Sequence, residues 1–119
     1  MKPYVAKCRV DIFDWDIYFF TSREKGIRSL RKRKGRRMHT RSWKTGAGVC
    51  SHWPNEHLAY IGVFNKSAGT LAHECVHAAM HILERADIPA HWGNHEALTY
   101  ITGYLVNQFT DAARKGGSK

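Results

Sequence analysis

The sequence predicts an α+β domain in which a small, mostly antiparallel sheet packs against helices. Residues 5–13 and 17–20 show the alternation and the aromatic or β-branched content of half-buried strands, and residues 58–64 form the best later strand. Three other segments carry apolar residues at helical spacing behind a capping residue. With 119 residues, 43% of them hydrophobic, the chain is long enough for one domain with a modest core. We therefore expect residues 1–119 to form a single domain.

The N-terminal part is expected to form a β-hairpin followed by a basic helix. Residues 14–16 are predicted to be the tight turn between the first two strands. Thr21 or Ser22 can cap a helix that Gly35 ends. Residues 45–50 are rich in Gly and are compatible with either a strand or a loop.

Positive charge is concentrated in one segment, residues 23–41. This segment holds ten Lys and Arg residues and one acid, so it accounts for the whole net charge of +9. It is either a solvated face or a surface that attracts nucleic acid or an acidic protein, although no groove-reading motif is present. The candidate polyanion-binding residues are Arg28, Arg31, Lys32, Arg33, Lys34, Arg36 and Arg37.

The C-terminal part is predicted to form two helices. Ser67 or Thr70 opens the first, which extends to about residue 86 and is apolar on most sides, so it should be largely buried. Asn94 is the expected N-cap of the second helix, which continues to about residue 113 and leaves residues 115–119 as a frayed tail. Residues 87–93 are long enough to reverse the chain and make the two helices antiparallel neighbours.

The composition argues against several classes of protein. Cys8, Cys50 and Cys75 are widely spaced, so they indicate neither a disulfide framework nor a Cys-based zinc site. No apolar run approaches the roughly 18 residues of a membrane helix, and the N-terminus shows no signal-peptide pattern. We expect a cytoplasmic protein that does not contact membranes.

The main chemical signal is the run His73-Glu74-Cys75-Val76-His77, which lies on the expected buried helix. Two His residues at positions i and i+4 stand on one helix face and can hold one zinc ion, with Glu74 placed to reach a water molecule. The alternative is coincidence, because a chain with eight His residues shows this pattern by chance in roughly one case in fifty.

A catalytic zinc site needs three protein ligands and one open position. Glu96, in the expected first turn of the last helix, is the candidate third ligand. A structural zinc site is the alternative, but such sites usually have four ligands and favour Cys. The sequence offers no convincing fourth ligand, which favours an open site.

The motif and the downstream carboxylate resemble the gluzincin type of zincin metallopeptidase, especially small single-domain zincins of phages and bacteria. The second part of the resemblance is Asn94-His95-Glu96-Ala97, where this family often has Asn-Glu-Ala, followed by Gly103 seven residues after the Glu. The resemblance covers about residues 70–103. It departs at Tyr100, where many gluzincins have an Asp that steadies a ligand His.

The resemblance implies a zincin fold and hydrolysis of peptide bonds in a protein or peptide substrate. In this interpretation His73, His77 and Glu96 hold Zn²⁺, and Glu74 is the general base. His95 is the first candidate for a second oxyanion donor, and His91 and Tyr60 are the others. The resemblance also implies that the strand at residues 58–64 forms the sheet edge beside the cleft, where substrate backbone pairs with it.

Two other functions remain open at this point. One is a nucleic-acid-binding module in which any metal is structural or absent. The other is a zincin-fold binding protein or inhibitor that does not turn over a substrate.

Overall fold

A computed structural model of the chain describes residues 2–36, 38–91, 93 and 95–117. Within these residues, short 3₁₀ turns at Asp11–Phe13 and Pro54–Glu56 accompany four strands and four helices. In chain order these are β1 (Ala6–Val10), β2 (Trp15–Phe20), α1 (Arg23–Lys34), α2 (Arg41–Thr45), β3 (Gly48–Trp53), β4 (Leu58–Val63), α3 (Ala68–Arg85) and α4 (Glu96–Gly117).

The four strands form one mixed sheet in the order β1-β2-β4-β3. The β1–β2 and β3–β4 pairs are antiparallel, whereas β2 and β4 are parallel. A parallel pair needs a long crossover, and here the crossover contains α1, α2 and β3. The predicted α+β class and small sheet are therefore confirmed, and the sheet is mixed, with two antiparallel pairs and one parallel pair.

Strand β4 lies inside the sheet, so the prediction that residues 58–64 form its edge is wrong. Every residue of β4 is buried, and the strand is bonded to β2 on one side and to β3 on the other. The edge strand on this side of the sheet is β3, which pairs only with β4 among the described strands. In residues 45–50, which fitted either a strand or a loop, Thr45 ends α2, residues 46–47 form a link, and residues 48–50 begin β3.

The first hairpin turns earlier than the sequence suggested. The turn is the 3₁₀ segment Asp11–Phe13, which Asp14 closes with a left-handed φ of 62° and a backbone N–H bond to the Asp11 carbonyl. Strand β2 therefore begins at Trp15, whose side chain is almost completely buried. A turn at residues 14–16 would have removed this indole from the core.

The two faces of the sheet are covered by different helices. The inner face carries the larger core, in which alternate residues of the sheet pack against α3 and against Ile101, Leu105 and Phe109 of α4. The outer face packs under Leu30 of α1 and Trp43 of α2. Helices α1 and α2 pack closely at Gly26, where an added Cβ would overlap the Trp43 ring.

The capping residues of α1 and α3 are Ser22 and Ser67. The Ser22 hydroxyl accepts a hydrogen bond from the Lys25 backbone N–H at 3.2 Å, and the Ser67 hydroxyl accepts one from the Thr70 N–H at 3.3 Å. Gly35 ends α1 with a φ of 96°, which confirms the predicted stop.

Helix α4 continues to Gly117, beyond the predicted end at about residue 113. Residues 118 and 119 lie outside the described part of the chain, as does Asn94, the expected N-cap. None of the described helices combines the length and the apolar character that crossing a membrane requires.

Candidate metal centre

His73 and His77 stand one turn apart on α3, with their imidazole rings turned towards each other. Their Nε2 atoms are 3.1 Å apart, and both residues are exposed. Two nitrogens bound to tetrahedral zinc through bonds of about 2.0–2.1 Å lie about 3.3 Å apart. The observed separation therefore fits two ligands of one zinc ion, and the exposure of the rings leaves room for further ligands.

Glu74 lies beside this pair but is buried, with 7% of its surface exposed. It lies against the start of β3, where a Cβ on Gly48 would be 3.0 Å from the Glu74 Oε2 atom. Burial raises the pKa of the Glu74 carboxyl, and the neighbouring His73 and His77 partly oppose this rise. A carboxylate held in this way has an increased tendency to accept a proton.

The carboxylate and His73 line an open groove of about 530 Å³ between α3 and the start of β3. Its other lining residues are Ala47, Gly48, Ser67, Gly69 and Thr70. The position of Thr70 is supported by Asn65, whose side-chain amide donates to the Thr70 hydroxyl at 3.0 Å. The sequence did not predict that residues 47 and 48 line this groove. The run Gly46-Ala47-Gly48 could have indicated it, because small residues allow the backbone to approach α3 closely.

Further along β3 and α3, away from the groove, two histidine rings stack on each other. The rings of His52 on β3 and His81 on α3 stack with centroids 3.4 Å apart. Burial lowers the pKa of both imidazoles, and the His81 pKa is lowered further by His52. Two neutral rings can stack without charge repulsion, so His81 packs against His52.

The structure does not bring Glu96 together with the two imidazoles. Glu96 occupies the first turn of α4, as expected, but it is exposed and lines a separate cavity of about 540 Å³ beside residues 9–13. No three His, Cys, Asp or Glu side chains within the described ranges are grouped closely enough to hold one metal ion. Glu96 as the third ligand therefore stays a prediction, and its carboxylate forms no hydrogen bond or ion pair with a described residue.

The three candidate oxyanion donors lie in different places. His95 is half-buried immediately before α4, and His91 is exposed and accepts the Gly93 N–H at 3.1 Å. Tyr60 is wrong as a candidate, because it belongs to the outer core and its hydroxyl accepts a hydrogen bond from Arg33 Nε at 2.6 Å. The alternation of β4 turns Ala59 and Ile61 towards α3 and Tyr60 away from it.

The three cysteines do not contribute to the centre. All three are free thiols, and burial raises the pKa of Cys8 and of Cys75 to about 12. Cys50 shows a shift in the same direction, also caused mainly by burial. Protonated, buried thiols are poor nucleophiles and poor metal ligands, and Cys75 is a fully buried residue of the inner core.

Comparison of the chain with protein-family models, with curated proteins and with solved structures finds no match.

Replacing Gly48 by Ala tests the close contact of β3 with Thr70 and Glu74 on α3. The new Cβ would overlap Thr70 Cγ2 and crowd Glu74, so we expect a loss of about 1–3 kcal/mol in the free energy of unfolding. Urea unfolding measures the change. Gly69→Ala is the matched control: its Cβ would meet only the Ser67 hydroxyl, at 3.5 Å, so it should stabilise the helix by roughly 0.5–1 kcal/mol. Equal effects of the two substitutions would contradict the described contact.

Proposed function

We propose that this protein is a zinc-dependent peptidase that hydrolyses peptide bonds in a protein or peptide substrate. The observation that carries the proposal is the 3.1 Å separation of the His73 and His77 Nε2 atoms beside a buried glutamate. This donor pair has the spacing that zinc requires. The groove next to it opens to solvent at the start of the edge strand β3.

Each residue of the centre has a separate role in the proposal. His73 and His77 would hold Zn²⁺, and Glu96 is proposed as the third ligand from the resemblance to gluzincins. When bound, zinc lowers the pKa of water from 15.7 towards about 7 and stabilises negative charge on the carbonyl oxygen. Glu74 accepts the proton of the attacking water and passes it to the leaving amine. His95 is the proposed second donor to the oxyanion.

The substrate would bind along β3 and not along β4. An edge strand presents unpaired N–H and C=O groups, to which an extended peptide can add as a further strand. Alternation along β3 turns Gly48, Cys50 and His52 towards α3, and Gly48 lies against Glu74. A peptide paired with β3 would therefore pass the proposed general base with its backbone extended.

Metal analysis of the purified protein, together with a cleavage assay, tests the proposal. We expect about one zinc ion per chain and cleavage of a mixed peptide library that stops when a chelator removes the metal. Adding back zinc in small excess should restore cleavage, because the bound metal is needed to activate the water molecule. Cleavage that continues unchanged in the metal-free protein would overturn the proposal, and so would a protein that binds no zinc.

A further inference from the structure

The outer face of the sheet carries a row of four aromatic rings, Tyr4, Tyr18, Tyr60 and Trp53, which we call the aromatic ladder. Successive ring centroids are 4.9, 5.3 and 5.2 Å apart, so the ladder is continuous from the segment before β1 to the edge strand β3. Tyr60 is buried, whereas the other three rings are half-buried and partly reach solvent. The ladder lies on the opposite side of the sheet from α3, so it is separate from the candidate metal centre.

Cationic side chains lie over each ring of the ladder. Lys2 is 5.9 Å from the Tyr4 centroid, Lys7 is 5.2 Å from Tyr18, and Lys34 is 5.1 Å from Trp53. The Arg33 guanidinium lies 5.6 Å from Tyr18 and 5.7 Å from Tyr60. Basic residues from α1, from β1 and from the segment before β1 therefore meet over one aromatic surface.

A cleft of about 420 Å³ opens between the ladder and α1. It is lined by Pro3, Tyr4, Tyr18, Phe20, Ser29, Lys32, Arg33 and Tyr60, a set that contains no acidic residue. Arg28 lies one turn from Lys32 on the same face of α1, and both side chains are exposed. The rim of the cleft therefore combines partly accessible tyrosine rings with free positive charge.

The contacts within the fold do not account for this charge. Of the basic residues in α1, Lys34 pairs with Glu56, while Arg28, Arg31 and Lys32 form no ion pair with a described residue. The helix dipole favours cations in the last turn, but Arg28 lies before that turn. Arg36 adds another exposed cation just beyond the helix, and Arg37 lies outside the described residues. Like charges repel at this spacing, so an external polyanion would relieve the repulsion.

We propose that the ladder and the α1 cations form a binding site for single-stranded nucleic acid. Phosphates would lie along Arg28 and Lys32. Unpaired bases would stack on the half-buried rings of Tyr4 and Tyr18 by displacing the exposed Lys2 and Lys7 side chains that lie over them. An acidic peptide would use the cations but not the rings. A duplex keeps its bases stacked internally, so it also would gain little from Tyr4 and Tyr18.

Fluorescence anisotropy with a labelled 15-nucleotide oligo-dT tests the proposal, with a 15-base-pair duplex and poly-glutamate as competitors. We expect the single strand to bind more tightly than either competitor and to lose affinity as salt rises. The variant R28E/K32E should reduce the magnitude of the log–log salt slope by about 1.4, at about 0.7 for each single-strand phosphate contact. The matched control, K66E/R114E, makes the same charge change beside a different cavity and should weaken binding much less.

Tyr4→Ala separates stacking from charge and should weaken oligo-dT binding by roughly tenfold. Tyr100→Ala, which removes a ring that is 79% exposed elsewhere, is its control. Thermal unfolding of each variant shows whether the fold is intact. The proposal is overturned by absent binding at low salt, by equal effects of the two charge variants, or by a poly-glutamate affinity equal to that of oligo-dT. An unchanged affinity in folded Tyr4→Ala would also overturn it.

Discussion

Replacing Glu74 by Gln is expected to reduce peptide hydrolysis by roughly 10²–10⁴-fold, the usual contribution of a positioned general base. The amide has almost the same size as the carboxylate but cannot accept the proton of the attacking water. Zinc content should stay at the wild-type value, because the proposed ligand nitrogens belong to His73 and His77. Initial cleavage rates measured at equal zinc occupancy provide the comparison.

Glu84→Gln is the matched control for this substitution, since Glu84 is an exposed glutamate on the same helix. It should cleave at close to the wild-type rate. If Glu74→Gln keeps both its metal and its full rate, Glu74 is not the general base. If the variant loses zinc as well, its lower rate says nothing about proton transfer, and cleavage must be measured after zinc is added back.

The helices could be predicted from the sequence because their signals are local. Ser22 and Ser67 precede helical stretches and accept the hydrogen bonds of N-caps, and Gly35 supplies the positive φ at the end of α1. Helix α2 was missed because it has only five residues, and its buried Trp43 is isolated among polar neighbours. A helix this short depends on packing against the outer core and not on its own periodicity.

The position of β4 was wrong because chain order does not determine the order of strands in a sheet. The run Leu-Ala-Tyr-Ile-Gly-Val is almost continuously apolar, which is typical of a strand covered on both faces. Strand β3, with Ser51, His52 and Trp53, is more polar and suits an edge. This contrast between β3 and β4 was present in the sequence. The resemblance to zincins, however, led to the prediction that β4, the strand next to the motif, forms the edge of the sheet.

The spacing between His77 and Glu96 in the sequence did not predict the face of α4 on which Glu96 lies. At about 100° per residue, Glu96 lies roughly 180° from the mean direction of Ile101, Leu105 and Phe109 on α4. These three residues are buried in the inner core, so Glu96 is on the outer side of the helix. The separation of 19 residues between His77 and Glu96 showed that the carboxylate could return to α3, but not that it points there.

Replacing His73 by Ala is expected to abolish the stabilisation that zinc gives to the folded chain. Free zinc at a hundred times its dissociation constant should stabilise the wild type by about 2.7 kcal/mol. At about 4 °C per kcal/mol for a domain of this size, Tm rises by roughly 10 °C. With one imidazole left, zinc should give almost no shift. Thermal unfolding with zinc and with chelator measures the difference, and His39→Ala, which removes an exposed His from the basic segment, should keep the full shift.

The same measurement on Glu96→Ala decides the composition of the ligand set. If Glu96 is the third ligand, its removal lowers the zinc-dependent shift in Tm, although the substitution of an exposed residue leaves the metal-free Tm nearly unchanged. A full shift in Glu96→Ala together with no shift in His73→Ala would assign the metal to the imidazole pair and exclude Glu96. A full shift in His73→Ala would place any bound zinc elsewhere. That result would contradict the proposed metal centre on α3 and the proposed role of Glu74 as general base.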